Sequence, residues 1–317
     1  MFLEYFRISS GALAQIFFLG ALGYLLVKVK IISSVGLETV SRITVDVTLP
    51  ALIFCQFIRD FSFAGYPQWW IYPLLSLAVT LLGWVVAFFC ARTVQEDLRG
   101  QFSALVTFQN SGFLPLAIVS SLLPASQIGP MRIYICLFLL GFNVVMFSIG
   151  VCMLRRACHK SMPVRSFFSA PVIATIITIA MVALGLNKLV PAAIVNPLQA
   201  LGECTIPLSM LVVGGGLALV NLSKVNTKAI SLTLFLKLFI LPLIGLLVVG
   251  NIALPPLMGL LLMIQLAVPS AVLIAVLLRT YEIEDTLASH GIFFSHLLSL
   301  LTLPVFLSLY FTVARIR

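Results

Sequence analysis

The sequence predicts an all-α membrane protein with ten transmembrane helices in two inverted five-helix repeats, helices four and nine being broken. Three observations carry this prediction. Of the 317 residues, 61% are hydrophobic and 9% charged, whereas a soluble domain carries about 25% charged residues. The apolar residues gather in ten runs near the length needed to cross a hydrocarbon core of ~30 Å, and the mean hydropathy is +1.17. The fourth and ninth runs each hold a proline among polar residues at mid-depth.

The runs are 11–28, 38–58, 69–91, 101–123, 132–154, 167–187, 196–220, 229–250, 257–278 and 287–313. The first follows an N-terminus with no basic leader region or small-residue cleavage site, so it reads as a retained helix. The second contains Asp46-Val47-Thr48-Leu49-Pro50. The third begins at an aromatic cluster, Tyr66-Pro67-Gln68-Trp69-Trp70, of the kind that sits at a membrane interface. The fourth contains Gln109-Asn110-Ser111-Gly112 before Pro115, and the fifth ends in the basic stretch LRRACHKSMPVR at 154–165. The sixth carries no charged residue. The seventh contains Glu203-Cys204-Thr205-Ile206-Pro207 and then Gly214-Gly215-Gly216, small residues that permit close helix packing. Lys237 interrupts the eighth, Gln265 to Ser270 the ninth, and His290 and His296 lie in the tenth.

Charge distribution orients these runs. The net charge is +9, but the basic residues lie between apolar runs rather than in one patch, which excludes nucleic acid as the partner. The odd-numbered connections carry twelve Lys and Arg, from Lys28 to Arg279, and the opposite side six. Basic residues favour the cytoplasmic side, so both termini are expected on the non-cytoplasmic face of the cell's inner membrane.

The acid, threonine and proline of Asp46-Thr48-Pro50 reappear in Glu203-Thr205-Pro207, and Pro115 pairs with Pro269 at nearly the same offset. Two five-helix halves, 1–157 and 167–317, joined by a basic cytoplasmic linker at 158–166, account for both matches. An odd helix count in each half inverts one relative to the other.

A broken helix persists in a bilayer only where protein or a wet cavity satisfies its backbone. Proline lacks the N–H and clashes with the preceding turn. The fourth and ninth helices are therefore expected to unwind and to present helix N-termini, which favour an anion. Asn110, Ser111, Gly112 and Pro115 from one break, and Gln265, Pro269 and Ser270 from the other, are the candidate binding residues. A lysine at mid-span costs about 2.5–3.5 kcal/mol on insertion scales. Lys237 thus reads either as a charge or proton-coupling group, or as a structural lysine bonded to carbonyls of a neighbouring broken helix. Glu203 and Asp46 are further coupling candidates, although an Arg42 to Asp46 pair at the interface would also explain the latter. His296 reads as a hydrogen-bonded structural histidine, with proton transfer the alternative.

Six scattered cysteines without CxxC spacing offer no metal site. The phosphate-loop, zinc-protease and nucleophile-elbow motifs are absent, and ten spans leave no room for a catalytic domain. The expectation is therefore a non-enzyme without cofactor or metal.

The segment QNSGFLPLAI at 109–118 resembles the Asn-Thr-Gly-x-Leu-Pro-Leu-Ala element of the auxin efflux carrier family. TVDVTLPALIF at 44–54, FLKLFILPL at 235–243 and the run at 266–304 are similar to that family's second, eighth and ninth-to-tenth helices. The resemblance implies crossover helices four and nine, a scaffold of helices one, two, six and seven that is often dimeric, and a moving unit of helices three to five and eight to ten. It implies transport of small organic anions, with Asn110 and Pro115 at the crossover, Pro269 their counterpart and Lys237 beneath them. Ser270 stands where plant members commonly have glutamine, and the short basic connection resembles prokaryotic members. The expected activity is secondary or facilitative carboxylate transport by an elevator motion. A sodium-coupled symporter is the alternative, and a channel or membrane sensor a more distant one.

Overall fold

The computed structural model describes residues 2–150, 153–154, 169–221, 225–280 and 285–315, and the expected linker at 158–166 lies outside them. The described residues are helical, with turns and one isolated β-bridge. In chain order the helices are α1 (Phe2–Lys28), α2 (Ser34–Asp60), α3 (Ile71–Ala91), α4 (Arg99–Thr107), α5 (Phe113–Leu122), α6 (Ala125–Gly150), α7 (Ala170–Ala183), α8 (Ala192–Ala218), α9 (Thr227–Asn251), α10 (Pro256–Ala267), α11 (Leu273–Thr280) and α12 (Thr286–Arg315). Seven of these, α1, α2, α3, α6, α8, α9 and α12, are long and apolar enough to cross a membrane, and α5, α7 and α10 are shorter apolar helices.

The residue distribution is that of a protein whose solvent is lipid. Leu74, Leu81, Phe88 and Phe89 on α3 and Phe235, Leu243 and Leu247 on α9 are exposed, whereas Thr48, Thr107, Gln109, Gln265, Ser295, His296 and Ser299 are buried. In water this arrangement would expose a wide apolar surface; in a bilayer it is the stable one.

Three helices carry local π turns among the described residues: one closes α6 at Met146–Gly150, and those at Thr44–Thr48 in α2 and Leu236–Ile240 in α9 each stand immediately before a Leu-Pro pair, Leu49-Pro50 and Leu241-Pro242. Proline cannot donate to the carbonyl four residues back, and the widened turn absorbs the missing bond and the ring. Lys237 sits in the π turn of α9.

Close helix crossings are made at small residues. A methyl group on Gly214 of α8 would lie 1.7 Å from the Gly20 carbonyl of α1, and one on Gly23 would lie 2.2 Å from the Leu211 carbonyl. Two residues of the triglycine thus serve packing, Gly214 against Gly20 and Gly215 against Leu37. Helices α1, α2, α7 and α8 contact one another in the pairs α1–α8, α2–α7 and α2–α8. On the other side α3 packs on α4 and α6, and α9, α10 and α12 pack together, with α12 and α5 also meeting α1.

Candidate functional site

Helix α4 stops at Thr107 and α5 starts at Phe113; α10 stops at Ala267 and α11 starts at Leu273. The two interruptions meet. Gln109 and Ser270 form an antiparallel bridge, Asn110 N–H donates to the Pro269 carbonyl at 2.9 Å, and Ala271 N–H donates to the Phe108 carbonyl at 3.0 Å. The prolines make this pairing local. Pro269 lies in its break, and Pro115 sits in the first turn of α5, where its missing N–H falls among donors that have no helical partner in any case.

A helix end leaves its last carbonyls without partners, and at α4 these are satisfied from the other half of the chain. Ser270 Oγ–H donates to the Leu105 carbonyl at 2.7 Å, and Lys237 Nζ donates to the Val106 carbonyl at 3.1 Å. The Gln265 amide nitrogen donates to the Ser111 carbonyl at 3.0 Å, while its oxygen is buried without a partner among the described residues. The Ser111 hydroxyl lies 3.4 Å from the Gln109 carbonyl, and Ser295 Oγ accepts from Ser270 N–H at 3.4 Å.

Beside this junction lies a cavity of about 320 Å³ between α1 and α8 on one side and α5 and α12 on the other. Phe17, Met210, Leu217, Phe293 and Leu300 make much of its wall, and Asn110 and His296 bring polar side chains to it. Asn110 is 5% exposed and His296 1%. Their side chains meet, with the Asn110 amide nitrogen 3.4 Å from His296 Nε2, and His296 Nδ1 is 2.8 Å from the Ile292 carbonyl one turn earlier.

The expected site residues therefore separate into three groups. Asn110 lines the cavity. Ser111, Gly112, Pro115, Gln265, Pro269 and Ser270 build the junction behind it, where the Ser111 and Ser270 hydroxyls and the Gln265 amide nitrogen are turned to backbone, and none of the three residues lines the cavity. Lys237 is 1% exposed and takes the arrangement foreseen as its structural alternative, bonded to a carbonyl of the broken helix.

Asp46 and Glu203 lie elsewhere, both exposed on α2 and α8. The interfacial pairing suggested for Asp46 does not form, because Arg42 bonds Glu38, one turn earlier, at 2.7 Å. Glu203 accepts from Gln199, which in turn accepts from Arg59.

The expected binding set does not include His296. The signal was present: an imidazole deep in an apolar span is as costly to leave unpartnered as an amide. The aromatic and aliphatic wall carried no signal, since the same residue types also face lipid.

This architecture, with apolar exterior, polar interior and paired helix interruptions beside a cavity, defines a multi-pass membrane protein of the transporter class. The family model described as "Membrane transport protein" matches the chain over residues 8–156 and 153–307. The chain belongs to that family, the auxin efflux carrier family. It is also 23% identical over 303 residues to an "Uncharacterized transporter" of Methanothermobacter thermautotrophicus, covering 94% of this chain and 97% of that protein.

Proposed function

We propose that the protein is a secondary or facilitative transporter of small organic anions, carboxylates above all, working by an elevator-type alternation. The observation that carries this reading is the junction of two interrupted helices beside a cavity that Asn110 and His296 reach. Unwound backbone at membrane depth has to be satisfied inside the protein or line a cavity, and here it brings the Asn110 amide against an otherwise apolar chamber, where the His296 imidazole of α12 meets it. Asn110 contacts the anion. Ser111, Gly112, Pro115, Gln265, Pro269 and Ser270 hold the two breaks in register, and Lys237 supplies positive charge beneath them.

In this reading α4 with α5 and α10 with α11 are each one crossing, and α7 is another. That makes ten spans in two inverted repeats, 1–157 and 167–317, with broken helices four and nine crossing. Helices α1, α2, α7 and α8 form a scaffold, able to pair with a second copy through that face, and the rest form the moving unit. The packing of α2 with α7 and α8, and of α9 with α10 and α12, supports that division. The cavity lies on the boundary between the two units, where a sliding motion would open it alternately. Asp46 and Glu203 sit on the scaffold and are assigned to charge coupling during that movement. Both termini face away from the cytoplasm of the inner membrane.

Counterflow of radiolabelled phenylacetate, hexanoate and malonate in proteoliposomes tests the function. Saturable exchange of at least one acid, reduced at least tenfold by Asn110→Ala, is expected. No exchange of any of the three would remove the reading, and flux that follows a sodium gradient would favour the symporter version.

A further inference from the structure

We propose that a carboxylate enters the cavity together with one proton, and that the proton is carried on Nε2 of His296. This rests on the transport reading above and names the ion that accompanies the anion.

The geometry assigns the ring's hydrogen. The Ile292 carbonyl, 2.8 Å from Nδ1, can only accept, so Nδ1 carries the hydrogen of the neutral imidazole. Nε2 is then a bare lone pair, and the Asn110 amide 3.4 Å away donates to it. Protonation turns Nε2 from acceptor into donor. With the cavity empty this sets two N–H groups against each other at a buried position. With a carboxylate present, both N–H groups point at the anion, and one hydrogen bond becomes charge-assisted.

Charge balance leads to the same residue. A carboxylate taken from water into a mostly apolar chamber needs a counter-charge. Of the described residues lining the cavity, His296 is the one whose side chain can become cationic. Lys237 does not line the cavity, and its ammonium is bonded to the Val106 carbonyl. The step makes and breaks no covalent bond in the substrate: a proton from solution joins Nε2, and imidazolium and carboxylate cross as a neutral pair.

The other ionisable groups around α12 leave this assignment in place. From α1, Tyr24 reaches the cavity wall, with the Lys28 ammonium 5.5 Å from its ring centre, while at the far end of the helix Tyr5 packs on Phe311 of α12 and Glu4 and Arg7 are exposed. From α9 come Lys237 and, exposed in its first turn, Lys228. From α4 comes Arg99, at the helix start beside Glu96 at 3.9 Å. Helix α8 contributes Glu203 and Cys204, both exposed, and α5 and α10 contribute none. Arg279 of α11 has a side chain outside the described set. On α12 itself His290 Nε2 lies 2.6 Å from the Asn221 carbonyl, and Tyr310 donates to Pro256.

Titration calorimetry on the purified protein in nanodiscs, at pH 8 in two buffers of different ionisation enthalpy, counts the protons taken up with phenylacetate, hexanoate or malonate. About one proton per anion is expected for the natural sequence, with apparent affinity falling about tenfold per pH unit between roughly pH 7.5 and 8.5. His296→Gln, which retains a donor in the ring's place, is expected to take up none and to show a flat pH profile. Binding without proton uptake by the natural sequence overturns the inference whether or not the variant folds, and so does uptake that persists in His296→Gln. Either outcome leaves the transport reading standing; failure of all three acids to bind removes both.

Discussion

Lys237 Nζ donates to the carbonyl of Val106 at 3.1 Å, joining residues 131 positions apart. The bond exists because α4 ends one residue later. The Asn110 N–H, which a continuous helix would have given to Val106, goes instead to Pro269. Ser270 does the same for Leu105. The two halves of the chain thus complete each other's broken helices.

Ser270→Ala measures the strength of that junction. It leaves the Leu105 carbonyl buried without its donor, which costs about 1–3 kcal/mol, and a lowered melting temperature in detergent is expected. Lys237→Met is less clean, because it also removes an ammonium whose insertion costs about 2.5–3.5 kcal/mol, so the two effects oppose each other. An unchanged melting temperature for Ser270→Ala would mean that its hydroxyl does not cap α4.

The contact between α1 and α8 depends on the absence of a side chain at one glycine and not at another two positions on. A methyl group at Gly214 meets the Gly20 backbone, whereas one at Gly216 meets nothing within 4 Å. Gly214→Ala is therefore expected to lose stability by several degrees and to disturb the cavity wall. Gly216→Ala is expected to be neutral, or stabilising by up to about 1 kcal/mol through helix propensity. Thermal profiles by size-exclusion chromatography check both, and equal behaviour of the two would contradict the crossing described here.

Asp46 and Glu203 are exposed and outside the cavity lining. Asp46→Asn and Glu203→Gln are expected to leave equilibrium carboxylate affinity within about twofold of the natural sequence. A tenfold loss of affinity, read by the same calorimetry, would bring them into the binding site after all.

Much of this was legible before any coordinates. An amide, glycine and proline inside an apolar run have few stable settings in lipid, so Asn110 to Pro115 and Gln265 to Ser270 marked the two interruptions. What sequence could not supply was direction. Ser111, Gln265 and Ser270 are polar like Asn110, yet both hydroxyls and the Gln265 amide nitrogen face backbone, and that depends on which residues the second break brings opposite. The partner of Arg42 was missed for a similar reason: Glu38 and Asp46 are both one turn away, and a π turn begins at Thr44, between Arg42 and Asp46. His296 sits within reach of Asn110 only because α12 passes the first break, a relation between distant segments that no local spacing encodes.

Crystals of the protein soaked with 4-iodophenylacetate test the central claim most directly, because iodine reports its own position by anomalous scattering. The account expects a peak inside the cavity between α1, α8, α5 and α12, with the carboxylate against Asn110 and His296. A ligand bound at another place, with the cavity empty, would contradict it.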